Sequence, residues 1–230
     1  MRQLDQTLFD RLNTAALSAD PSACKAAIKE AVADGVRADD IADFYIPAIA
    51  RDMGERWCTD QMSFASVTIG ASRLQAMLRT LGPNWSGDQV LDPRAPSILL
   101  MVQDDAHHTL GAIVLSGQLR RKGVSVKLLL GAKPGDVAEH LRRAIYHGIF
   151  ISASRGERLE PLRQIIEVVK NSALAQCPVV IGGTILETET ESNVKALTGA
   201  DYATKVPDEA LRFCGLLNPS NHLTILQNGN

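Results

Sequence analysis

Residues 103–111 read Gln-Asp-Asp-Ala-His-His-Thr-Leu-Gly. The run before them, Ile98 to Val102, is apolar, and the stretch from Ala112 onward has the spacing of an amphipathic helix. His108-Thr109-Leu110-Gly111 thus stands at a strand-to-helix turn. In a parallel sheet that turn lies above the carboxyl ends of the strands, where open α/β sheets bind ligands. Imidazole is a metal ligand, and glycine lets the backbone pass close to a bulky group. Two further strings follow apolar segments: Ser152-Ala153-Ser154 and Gly182-Gly183-Thr184. Hydroxyls there can bond a ligand's polar atoms, and glycines leave room for a flat or extended tail. Singly, each has a bland explanation as a surface histidine, a helix cap or a turn. All three on one sheet edge is a stronger pattern.

The elements that must place them fall into two regions. Residues 1–82 carry only helical periodicity. Asp5 to Ala16 is one helix. Asp20 can cap a second, with Pro21 in its first turn, running to Gly35. Asp39 or Asp40 can cap a third that continues through Met53, with Pro47 kinking it or starting a new helix. Ser63 caps a fourth that stops at Gly82. The product is a helical bundle. Residues 83–96 hold three prolines and read as a linker. Residues 97–217 alternate between strands and helices. Strands are expected at 97–102, 124–130, 148–153, 178–182 and 201–204, and helices from about His108, Pro134, Arg158, Thr188 and Pro207. Right-handed crossovers make this a flavodoxin-like (Rossmann-like) five-stranded parallel sheet, so the fold class is α/β with an N-terminal helical cap. Residues 218–230 read as a polar tail.

Composition narrows the function. The 230 residues are 45% hydrophobic and 22% charged, with a net charge of −2. No global basic field exists to hold nucleic acid, and aromatics are only 4%. Arg120, Arg121 and Lys122 are a short cluster at a helix end, where they complement its dipole. Direct nucleic-acid contact is not expected. No apolar run approaches a membrane span and the N-terminus has no signal-peptide core, so the expected location is the cytoplasm. Cys24, Cys58, Cys177 and Cys214 are scattered and read as small hydrophobes. No Ser-His-Asp order, paired carboxylates or phosphate loop stands out, so no catalysis is expected. Glu55 and Glu157 read as solvated charges. The oligomeric state is left open.

With these residues in place, the chain resembles the cobalamin (vitamin B12)-binding domain family. The family pattern is Asp-x-His-x-x-Gly, then Ser-x-Leu, then Gly-Gly, matched here by His108 and Gly111, by Ser152, and by Gly182-Gly183. The resemblance implies that His108 is the lower axial cobalt ligand, replacing the cofactor's own base, and that the nucleotide tail enters beside Ser152, Ser154, Gly182, Gly183 and Thr184. The family's helical cap carries Trp, nine residues, then Glu-His; here Trp57 is followed by nine residues and then Val67-Thr68. Trp57 matches the residue that lies over the upper corrin face. The strings MGERWC, SFASVTIGASRLQ and HHTLGA are similar to the AerR/PpaA photosynthesis antirepressors. That similarity implies a light- or redox-responsive regulator acting through a DNA-binding repressor. It also implies adenosyl-, methyl- or hydroxocobalamin as cofactor. The alternatives are a corrinoid methyl carrier for a methyltransferase and a heme sensor on the same scaffold.

The sequence departs from the pattern in three places. The Asp that accepts the ligand's other N–H falls at Ala106, with Asp104 and Asp105 as nearby substitutes. His107 is a rival ligand, but aligned on Asp105 it puts Leu110 where Gly is needed. Thr68 replaces the cap histidine that can take the upper axial site. His140, His147 and His222 are the remaining imidazoles, the first two expected in the second crossover helix. Ser154 replaces the apolar residue of Ser-x-Leu.

Overall fold

The computed structural model describes residues 4–87, 94–104, 108–172 and 177–217. The chain divides into two compact units, Met1–Val90 and Leu91–Asn230. Asp105, Ala106, His107 and the tail 218–230, including His222, lie outside the described residues.

The first unit is helical. Helix α1 spans Gln6–Leu17 and is capped by the Asp5 side chain, which accepts from the Leu8 N–H. Helix α2 is Ala23–Ala33, and Asp20 holds its approach by accepting from the Ser22 N–H at 2.8 Å. The expected third helix is more articulated than its pattern suggests. A single turn, α3 (Ala38–Asp40), passes into a π turn over Ile41–Tyr45 and then into α4, Ile46–Cys58. Pro47 is the physical cause. It has no N–H to give, and its ring would crowd the carbonyl four residues back, so the wider turn relieves it. Helix α5, Phe64–Leu81, starts at Ser63, whose hydroxyl accepts from the Ser66 N–H, and stops at Gly82. It packs on α1, α2 and α4. Its buried positions Gly70, Leu74, Met77, Leu78 and Leu81 form one stripe, and at Gly70 a Cβ would stand 2.6 Å from the Met53 sulfur. The Arg73 guanidinium ties this helix to the end of α1 by donating to the Ala16 and Ser18 carbonyls. The first residues of the expected linker 83–96 are helical. Pro83–Ser86 form a helical turn, α6, whose Trp85 is buried and donates its indole N–H to the Leu78 carbonyl at 2.6 Å.

The second unit is a five-stranded sheet of order β2-β1-β3-β4-β5, all neighbours parallel. The strands are β1 Ser97–Gln103, β2 Ser125–Ala132, β3 Gly148–Ser152, β4 Val179–Gly182 and β5 Tyr202–Ala203. The helices are α7 Leu110–Arg121, α8 Pro134–Arg143, α9 Leu159–Lys170, α10 Glu191–Thr198 and α11 Pro207–Phe213. The period of two divides each strand between two cores. Leu99 and Met101 pack with α8, α9 and α10, and Ile98, Leu100 and Val102 with α7 and α11. The central strands are covered on both faces, as a parallel sheet requires. Strand β2 is an edge strand, with Lys127 exposed and Leu130 47% exposed. The chain runs outward from β1 to β2 and returns to β3 on β1's other side. The topological switch point therefore lies between the carboxyl ends of β1 and β3.

Candidate functional site

His108 lies exposed at the carboxyl end of β1, two residues before α7. Among the described residues it has no hydrogen-bond partner. Thr109 occupies the N-cap position and its carbonyl accepts from the Ile113 N–H. Leu110 and Gly111 open the helix. A Cβ built on Gly111 would meet nothing within 4 Å, so this glycine faces open space. Asp104, a sequence candidate to brace the imidazole, pairs with Lys133 at 3.3 Å.

The loops after β3 and β4 form the other side of the switch point. Ser152 pairs in register with Gly182, and both alternate onto the α7/α11 face. The glycine pair is not spare room, which corrects the sequence expectation. A Cβ on Gly182 would stand 2.6 Å from the Thr204 carbonyl oxygen, and one on Gly183 would collide with the Ala153 carbonyl. Gly183 also sits at φ +105, a left-handed conformation that side-chain-bearing residues avoid. These glycines bring two backbones together. The Ala153 N–H donates to Gly182, and the Ile185 N–H donates back to Ala153. The Thr184 hydroxyl accepts from the Arg155 N–H at 3.0 Å, and Arg155 pairs with Glu187 at 2.6 Å. The short 3-10 turn Thr184–Glu187 that makes this possible is unsignalled in the sequence.

Two polar residues were missed. Glu157 is not a solvated charge. Its Oε1 accepts from the Ser154 N–H at 2.8 Å, while its Oε2 is buried without a hydrogen-bond partner among the described residues. Burial pushes its carboxyl above the usual range, against the pull of the Ser154 N–H and hydroxyl and of the His108 charge. The spacing Ser154-x-x-Glu157 is the available signal. It is half of a capping box, in which the glutamate reaches back to the first residue's N–H. Gln103, at the end of β1, is also buried, with its Oε1 unpartnered among the described residues.

The rival imidazoles of this unit are elsewhere. His147 is not in the crossover helix; it follows α8 and meets the first residue of β1, its Nδ1 accepting from the Ser97 N–H at 3.1 Å. That is the amino edge, about 20 Å from the carboxyl edge by strand length. His140 lies in the last turn of α8, which runs back toward the same amino edge. Neither can share a metal with His108. The basic cluster is engaged within the unit: Arg120 donates to the Val126 carbonyl and Lys122 pairs with Asp208 at 2.8 Å.

In the helical unit Trp57 is 43% exposed and tilts against Phe64, itself 67% exposed, with ring centroids 5.9 Å apart. Trp57 is therefore no core anchor. Val67 is half-buried, and Thr68 is exposed with its hydroxyl donating to the Phe64 carbonyl at 2.9 Å. The first turns of α5 thus present apolar side chains that this unit does not cover.

The B12 binding domain model matches residues 96–211, half of the chain. The chain belongs to the B12-binding domain family. An uncharacterized 20.5 kDa protein in the bchF-crtJ intergenic region of Rhodobacter capsulatus is 32% identical over 169 residues, covering 74% of this chain and 87% of that protein. The solved structure of the Methanosarcina barkeri monomethylamine corrinoid protein superposes with a TM-score of 0.69 at 16% identity, covering 91% of this chain and 95% of that one. It shares the fold.

The B12-binding domain's residues fit such a cofactor. His108 offers an exposed imidazole that would hold a metal carried in a macrocycle. The open space at Gly111 lets a wide ring approach the turn, and Ser152 and Ser154 place hydroxyl groups at the same edge. Among the described residues, no helix is long and apolar enough to cross a membrane.

Proposed function

We propose that this protein is a cobalamin-dependent regulator that ligates cobalt through His108 and acts through a DNA-binding repressor, with no catalysis of its own. The observation that carries it is an exposed imidazole beside an open glycine at the switch point of a B12-binding domain. When bound, the cofactor supplies a cobalt centre sensitive to light and redox state. Everything else falls to the chain. His108 would hold the cobalt through its imidazole. Ser152 and Ser154 would hydrogen-bond the cofactor's tail beside the wall set by Gly182, Gly183 and Thr184, and Trp57, in the helical unit, would offer an apolar surface to it. A regulatory rather than carrier role is supported by the locus of the relative, the bchF-crtJ intergenic region, together with the likeness of MGERWC and HHTLGA to the antirepressors.

The test is reconstitution in the dark with adenosyl-, methyl- or hydroxocobalamin, followed by absorption spectra before and after illumination. A histidine-ligated cobalamin spectrum that changes on illumination or reduction, and is lost in His108→Ala, is expected. A Soret band in the purified protein would assign heme instead. Robust methyl transfer from the methylated protein to a thiol would assign a carrier. Repressor binding to its operator that is indifferent to the loaded protein would remove the antirepressor role.

A further inference from the structure

The reading of His108 as ligand leaves one physical problem. A metal-bound imidazole almost always donates its other ring N–H to a carboxylate, carbonyl or water, which fixes the ring and raises its basicity. Position 106 is alanine, and Asp104 is paired with Lys133.

The switch point brings a different carboxylate to this histidine. His108 follows β1 and Glu157 follows β3, the adjacent strands that flank the crevice. The Glu157 side chain is already held. Its Oε1 takes the Ser154 N–H at 2.8 Å, and its own N–H donates to the Ser154 carbonyl at 3.1 Å. The loop beneath is held in turn by Arg155 on Thr184 and Glu187. A carboxylate fixed this way loses little further entropy when it receives a partner. Its second oxygen is sealed from solvent with no partner among the described residues. An unpaired buried acceptor is costly and rare, so it calls for an explanation.

We propose that Glu157 is the positioning residue of the site: a turn of the His108 side chain, which makes no hydrogen bond among the described residues, brings the ring N–H that faces away from the metal onto the unpartnered Glu157 Oε2. This rests on the assignment of His108 as ligand. The consequence is mechanical. The brace comes from the β3–α9 loop instead of from the ligand's own loop, so cobalt ligation is coupled to the position of a second segment.

The experiment has a cofactor-free arm and a loaded arm. Nitrogen NMR of the cofactor-free protein reads the His108 tautomer, which is expected to be single in the wild type and mixed in Glu157→Gln. Glu157→Gln keeps the side chain's shape and its bond to Ser154. With hydroxocobalamin, the same variant is expected to bind about 10- to 100-fold more weakly, with less of the histidine-ligated spectrum. Ala106→Asp, added to Glu157→Gln, is expected to restore both. An unchanged tautomer in Glu157→Gln and Glu157→Ala overturns the proposal. So does a loss of affinity that Ala106→Asp leaves unrepaired, which would reduce Glu157 to holding its own loop. The ligand assignment fails separately: His108→Ala would then keep the wild-type spectrum, while the tautomer measurement still decides whether Glu157 and His108 meet.

Discussion

At the amino edge of the sheet, His147 is bonded to the first residue of β1, its ring Nδ1 accepting from the Ser97 N–H while its backbone N–H donates to the Ser97 carbonyl at 2.7 Å. At the carboxyl edge, His108 is exposed with no hydrogen-bond partner among the described residues, next to a glycine that faces open space. The glycines differ in the same way. Gly183 is required because another backbone fills the place of its side chain, while nothing occupies the place at Gly111. One histidine and one glycine serve the fold. The other pair is left over by the fold, at the edge where open α/β sheets in general bind ligands. Residue type alone does not distinguish these roles; what surrounds each atom does.

The contrast can be broken by substitution. The largest effect is expected for His108→Ala, which should weaken cobalamin binding by more than about 100-fold, beyond the usual cost of losing an outer-sphere brace. Equilibrium dialysis checks it, and the melting temperature should stay unchanged. Gly183→Ala should do the reverse, costing roughly 2–4 kcal/mol of stability through left-handed strain and collision with Ala153. Denaturant titration reads that directly. Gly111→Ala should leave stability equal or raise it by up to about 1 kcal/mol, since alanine favours helix, yet impair cofactor binding. Loss of stability there would mean that this glycine too belongs to the fold. His147→Ala should cost about 1 kcal/mol and leave the cobalamin spectrum untouched.

The smallest effect concerns the thiols. Cys214 is pushed up to about 12, first by burial and then by Cys177, whereas Cys58 is exposed. Native Cys214 thus holds its proton where an unfolded thiol ionises at about 8.5. Between those values the native state binds more protons, so this residue's contribution to stability falls as pH rises through the window. Mass spectrometry after alkylation at pH 8 should label Cys58 first and Cys214 only on unfolding.

Much of this was legible in the sequence. Ser63, Gly82 and Pro134 mark helix ends because caps and breakers act locally, and the apolar runs give all five strands within a few residues. What escaped depends on distant partners. Pro47 signals a break before α4, but that the break takes the form of a π turn is a shift in hydrogen-bond register that residue type does not show. Pro83–Ser86 read as linker because prolines dominate the string, yet the Trp85 indole finds the Leu78 carbonyl. Glu157 lies in the polar string Ser-Arg-Gly-Glu-Arg, which gives no hint that one carboxyl oxygen is sealed from water. The expectation for His108 rests on its neighbours in sequence, which carry the pattern, whereas the groups around Glu157 come together only through the strand order.

The bonds that join Ala153 to Gly182 and Ile185, and Arg155 to Thr184 and Glu187, make the loops after β3 and β4 one bracket. A cofactor arriving at that wall has little there to order. Its binding should leave hydrogen exchange at the Ala153 and Ile185 amides nearly as slow as before, and the entropy change of association should originate elsewhere in the chain.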